Sequence, residues 1–96
     1  MSICDNPLEV LVNSLPDERI EIGKDVDGNF MVEYQHCEIK DGPVLRGDPG
    51  RGRSIWNAAE DYIKKISGKT LVFNAASASR KEVSIAVLTR TRYCGM

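Results

Sequence analysis

The sequence predicts a single α+β domain in which a mostly antiparallel sheet packs on one or two helices as a two-layer sandwich. Two stretches have the hydrophobic spacing of amphipathic helices, and five shorter stretches have strand patterns, giving the order α-β-β-β-α-β-β. The 96 residues are 42% hydrophobic and 28% charged, which is the composition of an ordinary globular protein. We therefore expect one domain over residues 1–96, with residues 91–96 frayed.

The first helix is expected to begin at Pro7, with Asn6 as its N-terminal cap. Apolar side chains at positions 8, 11, 12 and 15 then fall on one face, and Pro16 ends the helix.

Three strands are expected next, over residues 19–24, 30–39 and 44–46. Gly28 lies in an Asp-Gly-Asn turn between the first two strands, and Gly42 lies in an Asp-Gly-Pro turn before the third. The side chains expected to share one face of the second strand are Phe30, Val32 and Tyr34.

A second helix is expected over residues 54–67, with Ser54 as its N-terminal cap and Gly68 as its C-terminal stop. Two further strands, residues 70–75 and 82–90, complete the predicted domain. The apolar stripe of the second helix consists of Ile55, Ala59, Tyr62, Ile63 and Ile66.

Residues 47–54 have the spacing of a phosphate-binding loop, in which two glycines separated by four residues precede a base and a serine. The base is Arg53, and its planar guanidinium does not replace the lysine that reaches a transferred phosphate. Besides nucleotide hydrolysis, the pattern fits an anion held by Arg51, Arg53 and the amides near Ser54, or a flexible Gly-rich connector.

The residues that could carry other chemistry are few. Cys4, His36, Cys37 and Cys94 are enough ligands for zinc but lack paired Cys-x-x-Cys spacing, and adjacent strand residues point to opposite faces. Three widely spaced cysteines are typical of a reducing compartment, and no membrane-spanning or signal-peptide pattern is present. The sequence therefore predicts a cytoplasmic, non-enzymatic protein with no catalytic residue, metal or cofactor.

Charge is divided unevenly between the two halves of the chain. Residues 1–48 carry eleven acidic and four basic side chains, whereas residues 49–96 carry three acidic and nine basic ones. Such asymmetry is typical of a polyanion-binding face or an oppositely charged partner. We favour the alternative that strands of both halves share a sheet, so that their fields largely cancel.

The candidate binding surface lies at the start of the second helix and extends along it to two lysines. Arginine and tryptophan side chains carry much of the energy of protein interfaces, and Trp56 lies off the centre of the apolar stripe. Trp56 is either an interface anchor or a cover for the sheet edge. The candidate surface consists of Arg51, Arg53, Ser54, Trp56, Lys64 and Lys65.

Residues 50–54, Gly-Arg-Gly-Arg-Ser, followed by Ala58 and Ala59, resemble the double-stranded RNA-binding domain. That family has an α-β-β-β-α order and a Gly-x-Gly-x-Ser-Lys-Lys start to its last helix. The resemblance implies a helix-on-sheet sandwich and contact with an RNA backbone. Ile55 and Trp56 stand at the two lysine positions.

Two further resemblances concern the outline of the chain. Residues 27–33, Asp-Gly-Asn-Phe-Met-Val-Glu, with the helix from residue 54 to 66, resemble HicB-type antitoxins. Residues 68–75, Gly-Lys-Thr-Leu-Val-Phe-Asn-Ala, after the Arg-Gly-Arg-Ser helix start, resemble small phage or prophage proteins. The last resemblance implies a protein that binds and alters a host protein, such as a defence nuclease.

We therefore expect a non-enzymatic binding module of the phage accessory type that engages a host or viral macromolecule and no membrane. The alternatives are a nucleic-acid-binding protein that uses the basic second half, a HicB-like antitoxin, and a structural protein that self-associates as a homo-oligomer.

Overall fold

The computed structural model describes residues 6–87, which form two helices and seven strands. The helices are α1 (Pro7–Ser14) and α2 (Ile55–Ile66). The strands between them are β1 (Ile20–Lys24), β2 (Phe30–Tyr34), β3 (Cys37–Asp41), β4 (Val44–Arg46) and β5 (Gly50–Gly52). The strands after α2 are β6 (Thr70–Phe73) and β7 (Lys81–Ser84).

The strands of the described residues pair antiparallel in two sheets. Sheet I has the strand order β1-β2-β5, and sheet II has the order β4-β3-β6-β7. The predicted α+β class and the general order of its helices and strands are confirmed. Within residues 6–87, however, the helices are separated by five strands where three were expected.

The expectation of one strand over residues 30–39 is wrong, because the chain turns at Gln35 and His36. Buried side chains alternate up to Tyr34 and resume at Cys37, so the alternation slips by one position at the turn. His36 adopts the left-handed φ of 57° at this reversal. The turn carries the chain from sheet I to sheet II.

The flexible-connector interpretation of residues 47–54 is also wrong, because residues 50–52 form β5 beside β2. The last strand ends at Ser84, where a longer strand over residues 82–90 was expected. Ile85 is buried beyond its end, whereas Val87 is exposed. Residues 88–90 of that prediction, and the frayed end predicted over residues 91–96, lie outside the described residues.

Both helices have the predicted caps. Asn6 Oδ1 accepts a hydrogen bond from Leu8 N at 2.8 Å, and Ser54 Oγ accepts one from Asn57 N at 3.0 Å. Gly68 follows α2 with a φ of 71°, the left-handed conformation of a helix stop. Of the helices within residues 6–87, none has the length and apolar character needed to cross a bilayer.

The core lies where α2 packs on β2, β5 and the inner face of sheet II. At its centre the Tyr34 ring lies 5.7 Å from that of Tyr62 and 6.0 Å from that of Phe73. The predicted stripe of α2 is confirmed, with Ile55 partly buried against the core and the other members fully buried. Those fully buried members are Ala59, Tyr62, Ile63 and Ile66.

The acidic and basic halves of the chain interleave, as we favoured. β2 pairs with β5 and β3 pairs with β6, so each sheet contains strands from both halves. Ion pairs also join the halves, among them Lys81–Glu18, Lys65–Asp48 at 3.1 Å and Arg51–Asp25 at 3.7 Å. Part of the charge asymmetry is therefore neutralised within the molecule.

Candidate interaction surface

Gly50 and Gly52 hold the strand before α2 directly against that helix. A Cβ atom at Gly50 would overlap the Ala58 carbonyl oxygen and the Tyr62 amide nitrogen. A Cβ atom at Gly52 would lie only 2.7 Å from the Ala58 amide nitrogen. The Gly-x-Gly spacing therefore serves a close approach between strand and helix, for which only glycine is small enough.

The backbone of this strand is already hydrogen-bonded on both sides. Gly50 and Gly52 pair with Val32 and Phe30 of β2, and Arg51 N donates to Asp61 Oδ2 at 2.9 Å on the other side. A phosphate-binding loop needs free amides that converge on an anion. Residues 50–52 have no such arrangement, which argues against the nucleotide-hydrolysis interpretation.

Two of the predicted binding residues, Arg51 and Lys65, belong to an intramolecular charge network. Lys65 Nζ lies 3.1 Å from Asp48, 3.3 Å from Asp61 and 2.9 Å from the Pro49 carbonyl oxygen. Arg51 lies 3.9 Å from Asp48 and within 3.7 Å of Asp25. The two cations join the segment before α2 to the helix itself and to the β1–β2 turn.

Asp25 anchors the turn end of this network. Its Oδ1 accepts hydrogen bonds from the amides of Asp27 and Asn29 at 2.9 and 3.0 Å. Desolvation raises the pKa of Asp25, but these hydrogen bonds and the charge of Arg51 outweigh it and hold the pKa below its ordinary value. The carboxylate is therefore kept ionised by the turn that it stabilises.

Ser54 has a structural contact of its own. Its hydroxyl caps α2, and its carbonyl oxygen accepts the hydrogen bond from Ala58 N at 2.9 Å. Removing the side chain would therefore affect the helix start as well as any ligand near it.

The remaining predicted residues, Arg53, Trp56 and Lys64, lie on the outer side of α2. Trp56, Glu60 and Lys64 are four residues apart along the helix and form one row, with Arg53 just before the first turn. Within residues 6–87, Arg53, Glu60 and Lys64 make no ion pair or hydrogen bond through their side chains. We call Arg53, Trp56, Glu60 and Lys64 the outer strip.

Trp56 is half-buried, whereas its neighbour Ile55 packs against the core. Among the described residues, Trp56 does not belong to the apolar side chains that contact the core cluster. Part of the indole therefore remains accessible at one end of a row that also carries the unpaired Arg53 and Lys64, which favours the interface-anchor alternative for this residue.

The only thiol in residues 6–87, that of Cys37, is buried beside two tyrosines. Tyr62 Oη lies 3.8 Å from Cys37 Sγ and also accepts a hydrogen bond from Tyr34 N at 3.2 Å. Burial raises the pKa of Cys37 to about 12, so the thiol stays protonated at neutral pH. His36 is exposed on the preceding turn, so this geometry supplies no activated nucleophile.

Sequence reasoning missed a cleft of about 470 Å³ between β2, β3 and the turn after β6. It is lined by Glu21, Glu33 and Glu38, with Glu21 directly opposite Glu33 on neighbouring strands. Desolvation, followed by the charge of Glu21, raises the pKa of Glu33. The facing pair is visible in the sequence, because Glu21 lies six residues before Asp27 of the predicted hairpin turn and Glu33 lies six residues after it. Equal spacing on the two sides of a hairpin turn places the two glutamates opposite each other.

The side chains of the acidic cleft are not arranged as a set of metal ligands. In the part of the chain that the structure describes, no three histidine, cysteine, aspartate or glutamate side chains are arranged to hold a metal ion. Two of the four residues considered for zinc, Cys4 and Cys94, lie outside that part.

Comparison with known proteins finds no matching family model, no matching curated protein and no matching solved structure. The resemblances to RNA-binding domains, HicB-type antitoxins and small phage proteins stay predictions.

Proposed function

We propose that this chain is a non-catalytic binding module whose contact surface is the outer strip. The observation that carries the proposal is the division of the basic residues around α2. Arg51 and Lys65 are paired with aspartates, whereas Arg53 and Lys64, in the same outer strip as Trp56, have no partners among residues 6–87. Arginine and tryptophan side chains that are accessible on one surface are typical of the energetic centre of an interface.

A protein partner fits the outer strip better than a nucleic acid does. Nucleic-acid affinity depends on how many phosphates a basic surface neutralises. Here Lys65, Arg51 and Lys81 of the basic half are paired with carboxylates of the acidic half. Glu60 also lies within the strip, where it would repel a phosphate backbone. On the resemblance to small phage proteins, the partner we propose is a host or viral protein.

Affinity capture tests the proposal. The immobilised chain is incubated with a bacterial lysate, in parallel with and without nuclease treatment, and retained proteins are identified by mass spectrometry. Parallel captures use Arg53→Ala, Trp56→Ala and, as a matched control, Arg80→Ala, whose native side chain pairs with Glu82 on β7.

The proposal predicts one discrete protein that wild type and Arg80→Ala retain and that the two strip variants lose. Truncating a central interface residue costs about 2 kcal/mol or more, which corresponds to roughly 30-fold weaker binding. Equal retention by all four proteins would assign the contact to another surface. Retention that disappears with nuclease would instead support the nucleic-acid alternative.

A further inference from the structure

The outer edge of β1 pairs with no other strand in residues 6–87. β1 is the end strand of sheet I, and four of its five residues are exposed. At the opposite end of the sheet, the free side of β5 is covered by α2, where Asp61 accepts the hydrogen bond from Arg51 N. An open, five-residue edge without proline can pair with the strand of another chain.

Hydrogen bonds at the two ends of the β1–β2 hairpin show which peptide groups face this open edge. Asp25 N donates to Asn29 O at 2.9 Å, and Gln35 N donates to Arg19 O at 2.8 Å. Because bonding alternates along an antiparallel pair, the odd-numbered residues from 19 to 25 bond to β2. Ile20, Ile22 and Lys24 therefore direct their N–H and C=O groups outward.

We propose that β1 pairs antiparallel with β1 of a second copy of this chain, about a two-fold axis at Ile22. In this register Ile22 is opposite its own copy, and Ile20 is opposite Lys24 on both sides of the axis. Each of the three opposed pairs exchanges two hydrogen bonds, giving about six in all. The two copies of sheet I then form one continuous six-stranded sheet.

Charge complementarity favours this register over those with the axis at Glu21, Gly23 or Lys24. With the axis at Ile22, Arg19 is opposite Asp25 and Glu21 is opposite Gly23, so that no like charges face each other. An axis at Glu21 or at Lys24 sets that residue against its own copy, and an axis at Gly23 sets Glu21 against Asp25. Directly opposed like charges destabilise a strand pair.

The side chains on this edge offer little protection against pairing. Lysine commonly blocks exposed strand edges, but the Lys24 ammonium lies over the Phe30 ring of β2, 4.8 Å from its centroid. The Ile22 side chain is 48% exposed to solvent in the single chain. In the dimer the two Ile22 side chains cover each other, which removes apolar surface from water.

Analytical ultracentrifugation of the full chain over a concentration series tests the dimer. The expected result is a mass that doubles from the 10.7 kDa of the single chain. Ile22→Pro removes an outward N–H that the fold does not use, so we expect a folded monomer, checked by circular dichroism. A wild-type protein that stays monomeric, or an Ile22→Pro dimer that persists, overturns the proposal.

Oxidative cross-linking tests the register itself, in a background with Cys4→Ser and Cys94→Ser. The residues opposed at the axis have Cα atoms about 5.5 Å apart, which a disulfide spans, so Ile22→Cys is expected to cross-link to its own copy. Lys24→Cys is the matched control, because its copy is displaced by about 13 Å along the strand. Equal cross-linking of the two variants contradicts pairing at Ile22. A cross-link from Ile22→Cys to a different protein, in place of its own copy, also contradicts it.

Discussion

Gly50 is the residue whose size most directly sets the position of α2. Its Cα lies against the backbone of the helix at Ala58 and Tyr62, leaving no room for a methyl group. Since the atoms in contact belong to the backbone, they cannot move aside as the end of a flexible side chain would.

We predict that Gly50→Ala lowers the free energy of unfolding by about 2–3 kcal/mol, because the helix must shift away from β5. Gly47→Ala is the matched control from the same segment, since a Cβ there has nothing within 4 Å. Its expected change is within about 0.5 kcal/mol. Urea unfolding of the three proteins measures both values. A Gly50→Ala protein as stable as wild type would mean that β5 does not pack on α2 this closely.

The pair Glu21–Glu33 makes a second prediction at the scale of single residues. Because burial and Glu21 raise the pKa of Glu33 in the folded state, the folded chain holds this proton more tightly than the unfolded chain. The resulting stabilisation is complete below the unfolded pKa and is lost as the pH rises through the folded pKa.

Glu33→Gln should therefore raise the free energy of unfolding at pH 7 by about 0.5 kcal/mol and leave it unchanged near pH 3. Glu38→Gln is the control, because Glu38 lies in the same cleft but opposite Val72. Denaturant unfolding at both pH values measures the difference. A destabilising effect of Glu33→Gln at pH 7 would contradict this prediction, because it would show that attraction between Glu33 and nearby cations outweighs its repulsion by Glu21.

Among the elements, α2 depends on Asp61 for its attachment to the preceding strand. The Asp61 carboxylate accepts the Arg51 amide hydrogen bond and contacts Lys65, so it joins β5 to the helix at one point. The i,i+4 spacing of Asp61 and Lys65 is visible in the sequence, but the link to β5 could not be predicted, because the strand itself was not recognised.

Asp61→Ala is expected to lower the free energy of unfolding by about 1 kcal/mol, since the Arg51 amide loses its acceptor. Glu60→Ala controls for the higher helix propensity of alanine, because Glu60 has no partner within residues 6–87. Thermal unfolding of both variants gives the comparison. Equal stability of Asp61→Ala and Glu60→Ala would show that Asp61 does not attach β5 to α2.

The elements with strong local signals were predicted well. The caps at Asn6 and Ser54, the stop at Gly68 and the turn at Gly28 each depend on one side chain or one backbone conformation. The break at His36 was missed because its only sign in the sequence is a shift by one position in the alternation of apolar and polar residues. β5 was missed because its glycines have no side chains to reveal a buried face, and its motif suggested a phosphate loop.

At the scale of the whole molecule, the fold partly neutralises the division of charge along the sequence. Strands from both halves lie side by side, and the ion pairs Lys65–Asp48 and Arg51–Asp25 join them. The sequence alone predicted six surface residues before and along α2, but it could not separate those with internal partners from those without. That separation depends on tertiary distances between segments far apart in the chain.

The most direct test of the proposed binding surface is an equilibrium titration of the captured partner with wild type, Arg53→Ala and Arg80→Ala. Trp56 is the single tryptophan of this chain. If the partner contains no tryptophan, the fluorescence of Trp56 therefore also reports on the outer strip during the titration. The account predicts roughly 30-fold weaker binding for Arg53→Ala, with unchanged stability and wild-type affinity for Arg80→Ala. Wild-type affinity of Arg53→Ala would contradict the assignment of this surface.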